Sequence, residues 1–96
     1  MISRQSTITV SREQVSCDLA GEAAILNLSD GVYYGLNEVG AAVWKMLQNP
    51  VTVDEICLEV MNQFDVDAGR CEQDVVSLLE ELQARGLIEV GTGNGA

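Results

Sequence analysis

The spacing of apolar residues predicts strands in the first third of the chain. Residues 7–10 and 15–19 alternate apolar and polar side chains, which is the pattern of strands with one buried face. The first of these segments suits a short edge strand. Residues 23–28 are almost continuously apolar, as expected of a strand that is central in a small sheet. A turn at Ala20-Gly21 is predicted to precede that strand.

A hairpin is predicted around Asp30-Gly31, which lies between two apolar runs. A glycine here can take the positive φ that a tight turn requires, so residues 23–28 should pair antiparallel with residues 32–36. On this interpretation the strand 32–36 pairs on one side only, and its other side is an exposed edge with unpaired backbone donors and acceptors. Side chains alternate along it, with Val32, Tyr34 and Leu36 on one face and Tyr33 and Gly35 on the other.

Three helices are predicted after this strand, each with a capping signal. Asn37 can cap the first helix, and Thr52 with Glu55 forms a capping box at the start of the second. Asp67 is a plausible cap for the third helix, which Gly86 ends in the left-handed conformation. Apolar residues at helical spacing define one apolar face on each helix. These faces comprise Val39, Ala42, Val43, Met46 and Leu47 in the first helix, Val53, Ile56, Cys57, Val60, Met61 and Phe64 in the second, and Cys71, Val75, Leu78, Leu79 and Leu82 in the third.

The order of these elements predicts an α+β fold in a single domain spanning residues 1–90. An N-terminal three-stranded antiparallel sheet is followed by three helices, and a short turn joins the last two. The arrangement is therefore winged helix-turn-helix-like. Residues 87–90 are expected to be extended and to cover the sheet or form a short strand. Residues 1–6 carry no pattern and are expected to be frayed, and residues 91–96 to form a flexible tail.

The net charge of the chain argues against some classes of binding partner. The chain has 15 acidic and 5 basic residues and no histidine, a formal net charge of -10. Because affinity for nucleic acid comes largely from Lys and Arg, this argues against nucleic acid and, equally, against an anionic membrane surface. Ten of the acidic residues lie between Asp54 and Glu89, where only Arg70 and Arg85 oppose them. A partner with some basic residues would be attracted there, although a solvated helical surface is the simpler interpretation.

The sequence also bears on location and on metals. No apolar stretch is long enough to span a bilayer, and the N-terminus lacks the apolar core of a signal peptide, so the protein is expected to be cytoplasmic with no membrane partner. Cys17, Cys57 and Cys71 show no CxxC spacing and have no histidine to complete a zinc site. Cys57 and Cys71 fall on apolar helical positions and are expected to be buried structural thiols.

The inventory of reactive residues argues against an enzyme. Without histidine, a Cys or Ser nucleophile would need a lysine or a carboxylate as its base. The one lysine, Lys45, is predicted to lie on the exposed side of the first helix. Adjacent carboxylates such as Glu80 and Glu81 point about 100° apart on a helix and do not converge on a substrate. The glycines do not form a phosphate-binding loop, and no cofactor is expected.

The block ILNLSDGVYYGLNEVGAAVWKML, with CDLAGEA before it and LLEELQARGLIEV after it, resembles the PqqD-like family of recognition elements for ribosomally synthesised, post-translationally modified peptides. The resemblance covers residues 15–90. Its most specific part is the apolar strand, the Asp-Gly turn and the Tyr-Tyr-Gly-Leu-Asn run that leads into a helix with Gly-x-x-x-Trp. Within the family, the free-standing proteins of lasso-peptide biosynthesis are most similar, chiefly through Cys-Asp-Leu-x-Gly-Glu and Tyr-Tyr-Gly-Leu-Asn.

The resemblance implies a non-catalytic domain that binds the leader segment of a precursor peptide and presents it to processing enzymes. In the lasso case these enzymes are a cysteine leader peptidase and an ATP-dependent macrolactam cyclase. In the case of PqqD itself, the partner is a radical SAM enzyme. In the family the leader adds as a strand to the third strand of the sheet and lies in a groove against the third helix. The main-chain contacts would thus fall on the predicted open edge.

The peptide-binding residues implied by this resemblance come from that strand and from the third helix. They are Val32, Tyr33, Tyr34, Gly35, Leu36, Val75, Val76, Leu79 and Gln83. Tyr34, Val75 and Leu79 fit the core equally well, whereas Val76 lies off the main apolar stripe, so its exposure would be better evidence of a groove. Trp44 is expected to be a packing residue.

Three functions remain open from the sequence. The first is a leader-peptide recognition element, which requires an open strand edge beside an apolar groove. The second is a winged-helix transcription regulator, which requires a basic face that the chain does not show. The third is a structural or dimerisation domain that uses the same open edge to pair with itself.

Overall fold

A computed structural model of the protein describes residues 2–12, 14–19 and 22–91. These residues form two antiparallel three-stranded sheets and three helices, which confirms the predicted α+β fold with a helix-turn-helix pair beside a small sheet. In chain order the elements are β1 (Thr7–Val10), β2 (Gln14–Leu19), β3 (Glu22–Asn27), β4 (Tyr33–Leu36), α1 (Glu38–Met46), β5 (Val51–Thr52), α2 (Val53–Gln63), α3 (Ala68–Ala84) and β6 (Ile88–Gly91).

The first sheet has the strand order β2-β3-β4 and is the predicted N-terminal sheet. The predicted hairpin joins β3 to β4, with Ile25 opposite Tyr34, and Gly31 has a φ of 70° as its place in the turn requires. Val32 lies between the turn at residues 28–30 and the strand, since β4 begins at Tyr33. The predicted turn at Ala20-Gly21 lies outside the described residues.

The second sheet corrects one prediction. Residues 7–10 were expected to form an edge strand, but β1 is the central strand of the order β5-β1-β6. Its partners come from residues 51–52 and 88–91, far away in the sequence. A strand of two residues, such as β5, is too short to show a periodic pattern in the sequence. The alternation in β1 predicts a strand, but it does not indicate whether one or two other strands pair with it.

The N-terminal segment 2–6 is also not frayed, contrary to the prediction. Its carbonyl groups cap the start of α2, because Arg4 O and Ser6 O accept hydrogen bonds from the amides of Asp54 (3.0 Å) and Val53 (3.2 Å). The Arg4 guanidinium also lies 2.7 Å from the Asp54 carboxylate and 3.4 Å from that of Glu72 on α3. The segment is therefore attached to α2 and α3 by groups that have no periodic pattern in the sequence.

The three helices begin where the capping signals predict. Asn37 Oδ1 accepts a hydrogen bond from Gly40 N at 2.9 Å at the start of α1. Thr52 and Glu55 form the reciprocal capping box at the start of α2, and Asp67 caps α3. The φ of Gly86 is 72°, which confirms the predicted left-handed stop after α3.

Helix α3 packs its predicted apolar stripe into the core. Its buried residues are Cys71, Val75, Leu79 and Leu82. Cys57 and Cys71 are buried free thiols, as predicted, and Cys71 Sγ donates to the carbonyl of Cys57 at 3.6 Å. Trp44 is buried, which confirms its role in packing.

The end of the last strand and the length and hydrophobicity of the helices complete the description of the fold. Gly91, the first residue of the predicted flexible tail, is instead the last residue of β6, and residues 92–96 lie outside the described residues. No helix within the described ranges is both long enough and apolar enough to cross a membrane.

Candidate functional site: an open strand edge beside a groove

Strand β4 has one edge available for a further strand. It pairs with β3 on one side, and within the described part of the chain no strand pairs with its other side. The amide of Asn27 donates to Val32 O at 3.0 Å, and hydrogen-bonded pairs alternate along an antiparallel ladder. Tyr34 and Leu36 therefore direct their backbone groups to β3, whereas Tyr33 and Gly35 direct an N–H and a C=O each to the open edge.

Side chains on the two faces of β4 differ in exposure as predicted. Tyr33 on the outer face is 67% exposed and Gly35 is exposed as well. On the inner face Tyr34 is half-buried and Leu36 is 4% exposed. A strand added at this edge would thus have one face toward solvent and one toward the helices.

A cavity of about 310 Å³ lies on the inner side of the open edge. It is formed where β4, the N-terminal turn of α1 and the middle of α3 meet. Asn37 caps α1 and so turns the chain away from β4 just beyond its last residue. The cavity is lined by Tyr34, Gly35, Leu36, Asn37, Val39, Gly40, Asp74 and Leu78.

A second cavity of about 220 Å³ continues from the first, because Val39, Asp74 and Leu78 line both. It extends between α1 and α3 to the loop that follows α2. Its lining is mainly apolar and consists of Val39, Val43, Val60, Phe64, Asp65, Val66, Cys71, Asp74, Val75 and Leu78. The two cavities together form an apolar groove that begins at the open edge, and we call them the edge cavity and the loop cavity.

An aromatic and cationic contact limits the groove at the end near the hairpin. The guanidinium carbon of Arg85 lies 4.7 Å from the centre of the Tyr34 ring, within cation–π range. Arg85 also pairs with Glu81 at 3.4 Å. Desolvation and the nearby Glu81 carboxylate raise the pKa of Tyr34, while Arg85 lowers it. Tyr34 therefore stays neutral over the physiological pH range.

The hairpin is connected to α3 at this same end. Asn27 Nδ2 donates to the Arg85 carbonyl at 2.7 Å, and Asn27 Oδ1 accepts from the amide of Ser29 at 2.9 Å. Asn27 is 9% exposed and both hydrogen bonds are part-buried. This residue connects the end of β3 to the residue that follows α3.

The thiol groups near the groove are unsuited to nucleophilic chemistry. Burial is the main cause that raises the pKa of Cys71, and the Asp74 and Asp67 carboxylates raise it further. Burial and then the neighbouring Cys71 raise the pKa of Cys57 to about 11. Since the thiolate is the nucleophile, both groups are unreactive at neutral pH. Among the described residues, no cluster of three or more His, Cys, Asp or Glu side chains could hold a metal ion.

The nine predicted site residues occupy three different environments. The strand residues lie at the open edge or directly before it, and Val75 lines the loop cavity from the core. Leu79 is 0% exposed, Val76 lies on the opposite side of α3 beside Ile2, and Gln83 is exposed outside both cavities. Contact of any of these residues with a peptide stays a prediction.

Val39 on α1 lines both cavities and was missing from the prediction, as were two residues of α3 that also line both, Asp74 and Leu78. Leu78 was recognised as part of the apolar stripe of α3 but was assigned to the core. With Glu81 and Arg85, these two residues form one side of α3 at helical spacing, which we call the β4-facing side. The spacing 74, 78, 81 and 85 is visible in the sequence, but it does not indicate which side of the helix β4 approaches.

Comparison with known proteins identifies relatives of this chain. Residues 22–88 match the family model for coenzyme PQQ synthesis protein D (PqqD). The chain is similar to TbiB1 in complex with the TbiA(beta) leader peptide, with 30% identity, coverage of 84% of this chain and 94% of that chain, and a TM-score of 0.80. It also shares the fold of a lasso peptide synthetase B1 complexed with the leader peptide, at 17% identity over 85% of this chain and 96% of that chain, with a TM-score of 0.76. A search of curated proteins finds no match.

Proposed function

We propose that this chain, which belongs to the PqqD family, is a non-catalytic recognition element that binds the leader segment of a ribosomally synthesised precursor peptide. The observation that carries the proposal is the open edge of β4, with the apolar groove directly on its inner side. A peptide that adds as a strand needs both features, since the edge supplies hydrogen bonds and the groove receives alternate side chains.

The main chain would supply the register of the bound peptide. Tyr33 and Gly35 offer two donors and two acceptors at the open edge, and each hydrogen bond contributes about 0.5–1.5 kcal/mol net. Ordering a disordered leader costs a comparable amount of free energy. The affinity must therefore come from apolar side chains of the peptide that enter the groove.

The groove side chains that we propose differ in part from those implied by the sequence. Tyr34, Leu36 and Val75 remain in the site, and Val39, Asp74 and Leu78 join them because they line both cavities. Leu79 would act from the core beneath the groove. Val76 and Gln83 are not included, since they lie outside both cavities.

The precursor that we propose is a lasso-peptide precursor. The resemblance of the sequence to the free-standing proteins of lasso-peptide biosynthesis supports this choice, and TbiB1, at 30% identity, supports leader binding through its complex with the TbiA(beta) leader peptide. The chain would present the leader to a cysteine leader peptidase and to a macrolactam cyclase. The match to the PqqD family model supports a second candidate, delivery of a precursor peptide to a radical SAM enzyme.

A fluorescence-polarisation titration with labelled leader peptides tests the proposal. The panel contains the TbiA(beta) leader, lasso-type leaders, leaders of precursors that radical SAM enzymes process, and scrambled versions of each. We expect saturable binding of a lasso-type leader in the micromolar range or tighter, and no binding of its scrambled version. Saturable binding of a leader of the radical SAM class alone would favour the second candidate. Absence of binding across the panel, with a folded protein, would contradict the recognition function.

Two variants of Gly35 test strand addition itself. Gly35→Pro removes one of the N–H donors at the open edge, whereas Gly35→Ala retains it, and no atom lies within 4 Å of the Cβ that the substitution adds. Because the Gly35 N–H points away from β3, proline is tolerated at this edge position. We expect Gly35→Pro to weaken leader binding about tenfold and Gly35→Ala to change it less than about twofold. Equal affinities of the two variants would exclude this mode of binding.

A further inference from the structure

We propose that the loop cavity selects a leader segment with a basic residue, whose Lys or Arg side chain lies between Asp65 and Asp74. This inference rests on the proposed function, because it assigns a side-chain preference to the same groove. The preferred residue would be located beyond Leu36, at the end of the groove farthest from the hairpin.

The lining of the groove is asymmetric in charge. Two carboxylates, Asp65 and Asp74, line the loop cavity, and Asp74 lines the edge cavity as well. No lysine or arginine is among the described residues that line either cavity. The rest of the loop-cavity lining is apolar apart from the Cys71 thiol, so the two carboxylates are the groups that determine its electrostatic preference.

Neither carboxylate is strongly engaged within the chain. Asp74 pairs with Arg70 at 3.3 Å, but both side chains are largely exposed, at 59% and 70%, and such surface pairs are weak. For Asp65, no ion pair or hydrogen bond of the side chain exists within the described residues. A peptide cation could therefore interact with Asp65 and compete with Arg70 for Asp74.

The surroundings strengthen such an interaction relative to one in open solvent. Asp65 lies between Phe64 and Val66, and all three line the loop cavity. When a bound peptide excludes water from this cavity, the local dielectric falls and opposite charges attract more strongly. The excess of acidic residues over the helical part of the chain favours the same sign of partner.

The position of the basic residue along the peptide follows from the opposite end of the groove. There Arg85, which pairs with Glu81 at 3.4 Å, covers the Tyr34 ring, so these two opposite charges offset each other. The excess of negative charge thus lies at the loop-cavity end, and the preference for a basic side chain should be confined to one or two neighbouring positions of the leader.

A charge scan of one leader tests the inference. Each position of the labelled leader that binds the unaltered chain most tightly in the panel is replaced in turn by Lys and by Glu, and binding is measured by fluorescence polarisation. The proteins are the unaltered chain, the double variant Asp65→Asn/Asp74→Asn, and the matched control Glu80→Gln/Glu89→Gln. Both double variants change exposed residues and remove the same amount of charge, but Glu80 and Glu89 lie outside the groove.

We expect the unaltered chain to prefer Lys over Glu by about three- to tenfold at one or two adjacent positions. The preference should fall below about twofold in Asp65→Asn/Asp74→Asn and persist in the control variant. A preference that survives in Asp65→Asn/Asp74→Asn, or that disappears equally in the control, would overturn the inference. Binding without any charge preference would overturn it while leaving the proposed function intact, whereas absence of binding by every leader of the panel would remove both.

Discussion

The two sides of α3 have similar sequences and very different surroundings. The β4-facing side, which comprises Asp74, Leu78, Glu81 and Arg85, borders a groove lined by Val39, Val43, Val60 and Phe64. The opposite side, with Glu72, Gln73, Val76 and Ser77, borders an open cleft in which the neighbouring apolar residue is Ile2. Each side presents one aliphatic residue among polar ones. What distinguishes them is therefore the element that packs nearby and not the composition of the helix.

This comparison shows why a helical stripe locates a core more reliably than a binding groove. The stripe of buried residues between the two sides faces the core whichever side approaches β4. The N-terminal segment occupies the opposite side, where Arg4 pairs with Glu72, and leaves the β4-facing side open. The assignment of Leu78 to the groove, and the exclusion of Val76 from it, depend on which side of α3 the N-terminal segment occupies.

The largest expected effect is a loss of stability when Leu79 is truncated, because this residue belongs to the buried stripe between the two sides of α3. Leu79 is 0% exposed, so Leu79→Ala should lower the free energy of unfolding by about 2–4 kcal/mol through lost contacts and a residual cavity. Urea denaturation followed by circular dichroism measures this change. A loss below about 1 kcal/mol would indicate that α3 is rotated about its axis relative to the structure, and the comparison of its sides would fail.

The next expected effect is a loss of stability at alkaline pH, caused by the Cys57 thiol where α2 contacts α3. Burial and the Cys71 thiol raise the pKa of Cys57 from 9.0 to about 11, so the folded protein keeps this thiol neutral to a higher pH than the unfolded chain does. The resulting contribution, about 3 kcal/mol, is complete below pH 9 and is lost as the pH rises through about 11. Urea denaturation at a series of pH values measures it. The control variant Cys57→Ala should show a shallower decline, and an unchanged decline would exclude Cys57 as its origin.

A matched pair of substitutions on the two sides gives the smallest but most direct effect. Leu78→Ala should weaken leader binding about tenfold, because Leu78 lines both cavities, and should lower stability by only about 1 kcal/mol. Val76→Ala should leave binding within about twofold. Fluorescence polarisation with the leader that binds the unaltered chain measures both variants. A stronger effect of Val76→Ala than of Leu78→Ala would place the peptide on the opposite side of α3.

Most of the fold could be predicted from local signals. The caps at Asn37, Thr52 and Asp67 and the positive φ at Gly31 and Gly86 are properties of a few neighbouring residues, and all of them are confirmed. The match of residues 22–88 to the PqqD family model confirms the resemblance, whose motif consists of the same contiguous elements. The second sheet was missed because its pairing joins residues 7–10 to residues 51–52 and 88–91.

Strand β4 and helix α3 both border the candidate site, and of these two only the position of β4 was fully predictable from the sequence. The open edge at β4 follows from a hairpin that comes directly before a capped helix, because no strand comes next in the chain to cover it. The wall on α3 was predicted only in part. Val75 lines the groove, whereas Val76 lies on the opposite side of α3 and Leu79 in the core, and we propose that Asp74 and Leu78, which line both cavities, belong to the site.

The sequence by itself determined the helix boundaries, the β3-β4 hairpin, the open edge, the core stripe of α3 and the family. Each of these depends on interactions between residues that are close in the chain or on a period that repeats along it. The tertiary structure alone decided that segment 2–6 covers one side of α3 and that β4 and α1 enclose a groove on the other. Those are contacts between distant residues, and one helical period is compatible with either side.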